Sequence, residues 1–314
     1  MIYFGTNRNP NRNATGYGAE FSRSGLHNLR FGTAQLGANG RLEVSSFPDT
    51  NVAPDDPGSR RAFEGLRTQM LQHDAADLLV YIHGFNVSFP EAMRTALKLQ
   101  QIYTLTANPV NVIAFSWPSD GEVTGYKSDR LDAEASGPGM GRGMQIAMEY
   151  LRSLVADERC KRKLHLLAHS MGNYVLQHTL TYLRRETGLF PIFDQIVLAA
   201  ADVDEDVFDV PEKMGDLHRL GRHITVYHNE GDLALTASDW FKGNPDRLGS
   251  EGPARPHDLH RKVKMVDCHA VADIQHSYYH EVDIVAKDIA AILAGTAPTQ
   301  RRALSANRFE IREP

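Results

Sequence analysis

Between Asp77 and Asp267 the chain repeats one pattern: a short, largely apolar run of six or seven residues, continuous in DLLVYIH, followed by a segment with helical spacing or a turn. The runs are DLLVYIH (77–83), NVIAFSW (111–117), KLHLLAH (163–169), QIVLAAA (195–201), HITVYH (223–228) and KVKMVD (262–267). Runs that are apolar at consecutive positions read as strands covered on both faces, which is the signature of a parallel sheet rather than a half-solvated one. Strands that alternate with helices argue for a mostly parallel, doubly wound α/β sheet. In such sheets the chemistry lies beyond the carboxyl ends of the strands, so the residues just after each run are the ones to examine.

The helical segments carry their own signals. Ser88 followed by Glu91 is a capping box, and Leu97, Ile102 and Leu105 continue an apolar face behind it. Gly141 to Leu154 predicts a helix with Ile146, Tyr150, Leu151 and Leu154 near one side, MGNYVLQHTLTYLRR a second, and EVDIVAKDIAAILAG the last. Residues 1–60 are rich in Gly, Asn and Pro, and IYFGT, LRFGTAQL and RLEVSSF read as short strands. They are expected to form an N-terminal β extension packed on the main unit, residues 61–295. The polar tail, 296–314, is expected to be poorly ordered. Two polar stretches, 118–142 and 242–260, interrupt the rhythm and are candidate lids.

The bulk numbers narrow the class. At 314 residues, with 42% hydrophobic and 23% charged residues, the chain can bury a substantial core without staples. A formal charge of −5 speaks against nonspecific nucleic-acid binding. With only two cysteines, Cys160 and Cys268, a disulfide framework is not expected. No secretory pattern and no membrane-length apolar stretch is found, so a cytoplasmic protein is expected.

The sharpest local signal is LHLLAHSMGNYV. A strand ends at Ala168, a helix pattern begins at Met171, and Ser170 sits at the junction. Ala168-His169-Ser170-Met171-Gly172 is a nucleophile elbow, G-x-S-x-G with Ala in the first place. The tight turn demands small residues two positions either side of the serine. It exposes the hydroxyl and aims the first amides of the helix at the site. The alternative for such a serine is a plain helix N-cap. The oxyanion that serine attack creates needs donors. One is expected from the amide of Met171 and the second from the loop after the first run, at Phe85, with Gly84 easing the turn and Asn86 helping to fix it. His83 precedes the serine, the wrong order for a base, and is expected to be structural.

The base and its orienting acid should follow the serine in the order Ser, Asp or Glu, His. Asp232, in the turn NEGD, is preferred to Asp202 in DVDED because it lies nearer the last run. The spacing of Asp202, Asp204 and Asp206 superficially resembles a calcium loop but lacks its glycine and terminal glutamate, so no metal site is read there. Of His269, His276 and His280, His276 is preferred because its loop can lean over the elbow, with Ser277, Tyr278 and Tyr279 packed around it. No metal or organic cofactor is required.

Taken together, IHGF, FSWPS, LLAHSMGN, LAAADVDEDVF, NEGDLAL and QHSYY, with Thr6 to Arg8 at the start, resemble an uncharacterised bacterial α/β-hydrolase family, a domain of unknown function related to esterases and lipases. The resemblance implies an α/β-hydrolase fold with Ser170, Asp232 and His276 as its catalytic residues. It supplies no substrate. The expected activity is hydrolysis of a small-molecule ester through an acyl-enzyme. The rivals are a thioesterase, amidase or peptidase using the same residues, and an inactive binding protein on the same fold.

Overall fold

The computed structural model describes residues 1–11, 16–23, 28–47, 58–72, 76–104, 109–154, 162–240 and 246–313. The strands are β1 (Ile2–Thr6), β2 (Arg8–Pro10), β3 (Tyr17–Phe21), β4 (Arg30–Leu36), β5 (Leu42–Ser46), β6 (Asp77–Ile82), β7 (Val110–Ser116), β8 (Leu164–His169), β9 (Phe193–Ala199), β10 (Gly221–His228), β11 (Val263–Asp267), β12 (Arg301–Ala303) and β13 (Arg308–Ile311). The helices are α1 (Gly58–Gln72), α2 (Phe89–Tyr103), α3 (Tyr126–Ser153), α4 (Gly172–Glu186), α5 (Leu233–Trp240), α6 (Leu248–Glu251), α7 (His269–Ala272), α8 (Tyr278–Glu281) and α9 (Asp283–Ala294).

The six apolar runs become β6 to β11 and lie parallel at the centre of one sheet, ordered β12-β13-β11-β10-β9-β8-β6-β7-β1-β4-β5. Their alternate residues feed two cores. Ile82, Leu166, Ala168, Ile196 and Leu198 face the layer of α1, α3 and α4. Leu79, Tyr81, Leu167, Val197 and Ala199 face the layer of α2 and α9. A strand buried on both sides has no polar phase, which is why β6 to β9 read as largely apolar, while β10 and β11, nearer the sheet edge, admit exposed residues such as Arg222 and Lys264.

The N-terminal segment is more deeply integrated than an extension packed on the outside. β1 pairs parallel with β7 and antiparallel with β4, and β5 completes that edge, so the sheet continues through the first 46 residues. Only β2 and β3 form a separate hairpin.

Three expectations are corrected. The tail beyond Gly295 is not loose: β13 pairs parallel with β11, and β12 pairs with β13. The run at 262–267 is therefore not the sheet's last strand. Residues 118–142 are not a polar loop either, since α3 begins at Tyr126 and runs through Pro138. Its glycines serve helix packing. A Cβ on Gly137 would stand 2.4 Å from the Cβ of His178, and one on Gly141 would stand 2.4 Å from the Tyr182 ring, both on α4. In the second candidate lid, residues 242–245 lie outside the described residues. The part that follows is built into the body, with Leu248 and Gly249 donating their amides to the carbonyls of Val203 and Ala201 at 2.9 Å. Cys268 is a buried free thiol, and Cys160 lies outside the described residues.

The tail is held by a buried charge. Arg301 donates from Nε to Oδ1 of Asp288 at 2.9 Å and from Nη2 to Oδ2 at 2.6 Å, while the Tyr227 hydroxyl donates to the same carboxylate at 2.7 Å. The Asp288 side chain is wholly buried. Removing the cation strands that carboxylate, and Arg301→Ala is expected to lower the unfolding free energy in urea by about 3 kcal/mol. A loss below about 1 kcal/mol would mean that the tail contributes little to the sheet.

Candidate active site

The site begins with a turn forced by close packing. β8 ends at His169, and α4 starts at Gly172, leaving Ser170 and Met171 to make the change of direction. Ser170 has a φ of 52°, in the left-handed region that side chains other than glycine enter only under constraint. Its amide donates to the carbonyl of Ala199 at 3.0 Å, and its carbonyl accepts the amide of Asp202 at 3.2 Å. Asn173, which the sequence reading passed over, locks the turn by donating from Nδ2 to the carbonyls of Ala168 at 3.0 Å and Ser170 at 3.1 Å.

Two glycines let the neighbouring strand approach. A Cβ on Gly172 would lie 2.6 Å from the carbonyl oxygen of His83 and 2.7 Å from that of Ile82. A Cβ on Gly84 would lie 2.8 Å from the Cβ of Ser170. The loop after β6 thus runs directly against the serine. It carries Phe85, then Asn86 with a φ of 57°. Phe85 packs edge-on against Tyr126, with ring centroids 5.3 Å apart.

His83 lies beneath this loop. It is fully buried, its ring stacks on Trp117 at 5.1 Å, and the Trp117 indole donates to its carbonyl at 2.8 Å. Nδ1–H donates to the Gly84 carbonyl at 2.8 Å, and Nε2 accepts the Ser116 hydroxyl at 3.3 Å. Burial above all, and then the charge of Arg8, pull its pKa down to about 3. It is a neutral, structural imidazole.

On the other flank, Asp232 and His276 are joined. Nδ1–H of His276 donates to Oδ2 of Asp232 at 2.7 Å. Oδ1 of Asp232 accepts the amides of Ala234 at 3.0 Å and Leu235 at 3.2 Å at the head of α5. One carboxylate therefore both caps the head of a helix and orients the imidazole. Its side chain is fully buried while that of His276 is 24% exposed. The His276 ring lies 4.7 Å, centroid to centroid, from that of His169, next to Ser170. With its proton on Nδ1, the ring keeps a lone pair on Nε2.

The loop that carries His276 is pinned by the residues after it. The Tyr278 hydroxyl donates to the Tyr227 carbonyl at 2.8 Å and accepts the Ala200 amide at 2.9 Å. Tyr279 shares a hydrogen bond with the Tyr81 hydroxyl at 2.9 Å. These tyrosines anchor the loop to the strand ends, a firmer role than packing around the imidazole. Asn229 helps from below, donating to the carbonyls of Asp273 at 2.8 Å and Gln275 at 3.3 Å.

The competing residues have other partners. Asp202 accepts the Tyr126 hydroxyl at 2.5 Å and pairs with Nε of Arg247 at 3.3 Å. Asp204 is bridged by Arg247 at 2.6 Å and Lys213 at 3.0 Å, and Lys213 also reaches Asp206 at 2.8 Å. These cations occupy the acidic run. His269 contacts Asn229 at 3.3 Å, and His280 lies in α8, its pKa pulled down to about 4 chiefly by burial. Elsewhere, an apolar cavity of about 220 Å³ lies between α1, α3 and the sheet, lined by Phe63, Met70, Ile113, Met144 and Leu164 among others, apart from Ser170, Asp232 and His276.

Residues 60–295 match the model of a family described as alpha/beta hydrolase of unknown function (DUF900). The chain belongs to this family. An uncharacterized protein of Nostoc sp. is 28% identical over 141 residues, 38% of this chain and 33% of the relative, so the chain spans about a third of that protein's length. Among solved structures, a candidate cell surface hydrolase from Lactobacillus plantarum aligns at 12% identity and a TM-score of 0.37, covering 71% of this chain and 93% of that one. A Trichoderma reesei cutinase in complex with a phosphonate inhibitor aligns at 12% identity and a TM-score of 0.30, covering 76% and 87%. No residue role is transferred from either. No described helix of this α/β-hydrolase is long and apolar enough to cross a membrane.

In this family member the neutral His83 makes stability depend on acid. Its folded pKa, about 3, lies below the unfolded value of about 6.5, so the unfolded chain binds the extra proton between them. The His83 contribution is complete above about pH 6.5 and is lost as the pH falls towards 3. Asp132, whose carboxyl burial pushes up to about 6, works in the opposite sense, so the effect is read as a difference between variants. The stability gap between the parent and His83→Gln is expected to narrow by about 1.4 kcal/mol per pH unit below pH 6. A gap independent of pH would show that His83 takes up its proton while folded.

Proposed function

We propose that the protein is a serine hydrolase that cleaves a small-molecule carboxylic ester through an acyl-enzyme. The observation that carries this reading is the Asp232 carboxylate bonded to the Nδ1 side of His276, whose ring stands beside an elbow holding Ser170 in a left-handed turn. That arrangement serves a serine nucleophile, a general base and an orienting acid.

In this mechanism Oγ of Ser170 attacks the substrate carbonyl as Nε2 of His276 takes its proton. The tetrahedral oxyanion is held by the amides of Phe85 and Met171. Collapse expels the alcohol, which leaves with the proton returned by His276. Water, activated by the same imidazole, then releases the acid and restores the serine. Asp232 keeps the His276 proton on Nδ1 and stabilises the imidazolium that forms in each half. Neither half requires a metal or an organic cofactor.

The test combines a fluorophosphonate probe with turnover on matched ester, thioester and amide substrates. The parent is expected to label once, and Ser170→Ala not at all. His276→Ala and Asp232→Asn are expected to lose about a thousandfold or more in kcat, while Asp202→Asn keeps most of it. Esters should turn over fastest. Equal labelling of parent and Ser170→Ala would remove the nucleophile. Loss of turnover in Asp202→Asn but not in Asp232→Asn would move the acid.

A further inference from the structure

The sequence places Thr6-Asn7-Arg8 far from every catalytic candidate, and the mechanism above does not use it. Yet Arg8 is among the largest fully buried side chains in the molecule, 1% exposed. A buried cation is costly and is retained only where its donors are fully engaged. Nε of Arg8 donates to Oγ of Ser116 at 3.0 Å, Nη1 to the carbonyls of Gly18 at 3.0 Å and Ser119 at 3.1 Å, and Nη2 to the carbonyl of Val87 at 2.8 Å. Four acceptors from three stretches of chain meet on one guanidinium.

The last of these contacts falls two residues beyond Phe85. The same stretch is gripped from its other side. The Val87 amide donates to Oγ of Ser119 at 3.1 Å, the Ser119 hydroxyl donates to the buried Asp129, and the Asn86 amide reaches Oδ2 of Asp129 at 3.4 Å. The Ser116 hydroxyl, which accepts from Arg8, donates in turn to Nε2 of His83 at the base of the loop. Asn86, held in the left-handed region, is thus fixed by its own amide on Asp129 and by the amide and carbonyl of Val87.

We propose that Arg8 is a positioning residue for the oxyanion loop, acting through the Val87 carbonyl to aim the Phe85 amide at the developing charge. This rests on the serine-hydrolase reading above. The planar fork is what the task requires: donors diverging in one plane reach Ser116, Ser119 and Val87 together, which a lysine ammonium cannot reproduce. Burial pulls the guanidinium pKa down to about 9, and Asp129, followed by Asp120, Asp132 and Glu91, supplies the field that keeps it charged.

A donor aimed at the oxyanion acts in the transition state and not on the bound ester, so a misaimed loop lowers kcat and leaves KM nearly unchanged. The experiment measures p-nitrophenyl acetate turnover and fluorophosphonate labelling for the parent, Arg8→Lys, Arg8→Ala and Ser119→Ala, each with a thermal unfolding curve. Arg8→Lys and Ser119→Ala are expected to lose about tenfold to a hundredfold in kcat, with KM changed less than about threefold. Added guanidinium at low millimolar concentration is expected to restore part of the kcat of Arg8→Ala and none of that of Ser119→Ala. If Arg8→Ala does not fold, Ser119→Ala, which cuts the same loop from the other side, decides. Parental kcat in folded Arg8→Lys or Ser119→Ala, or a loss that follows only the unfolded fraction, overturns the proposal. A parent that neither labels nor turns over overturns the serine reading itself, and the positioning role with it.

Discussion

The structure depends on how closely the first turn of α4 is pressed against the end of β6. Gly172 sits where any side chain would collide with the carbonyls of Ile82 and His83, and Gly84 sits where one would collide with Ser170. These contacts leave no room for a gentle turn, so Ser170 takes a left-handed backbone and its neighbours satisfy the bonds that the turn leaves over. The strain is over-determined by the packing around it, the condition under which such conformations persist. The loop after β6 and the first amides of α4 come to the serine because the two backbones are in contact.

Around that turn the polar groups are buried in sets with assigned partners. Asp232 gives one oxygen to the head of α5 and the other to His276. Asp202, similar in its sequence surroundings, is committed to Tyr126 and Arg247. The difference decides which acid can orient an imidazole, because a carboxylate already paired with a cation has less to offer a second partner. Arg8 and Asp129 form a third set beneath the loop after β6, and Arg301 with Asp288 a fourth at the sheet edge. Buried charges of this kind impose specific geometry more than they add stability.

Much of this could be read from the chain. The six central strands and the elbow follow from apolar continuity and from the small residues that a sharp turn requires, while Asp232 and His276 were picked by their place after later runs, and the fold bonds the two to each other. The rest was hidden for identifiable reasons. Gly137, Pro138 and Gly141 look like loop residues because glycine and proline usually break helices, yet here the glycines allow α3 to lie against α4. The tail looked disordered because its apolar residues are few. Its order comes from Arg301 meeting an aspartate brought close by folding. Arg8 entered the reading only through the family resemblance, which gave it no role: its acceptors are three carbonyls and one hydroxyl spread over more than a hundred positions, and no spacing rule links them. Asn173 and Asn229 were missed because an amide that braces a loop looks, in sequence, like any other polar residue.

The central claim is geometric, and a crystal structure of the protein after reaction with a small alkyl phosphonate tests it most directly. Phosphorus should be bonded to Oγ of Ser170, with the phosphoryl oxygen within hydrogen-bond distance of the amides of Phe85 and Met171 and with Nε2 of His276 facing the serine oxygen. Phosphorus on another residue, or a phosphoryl oxygen turned away from both amides, would contradict the account.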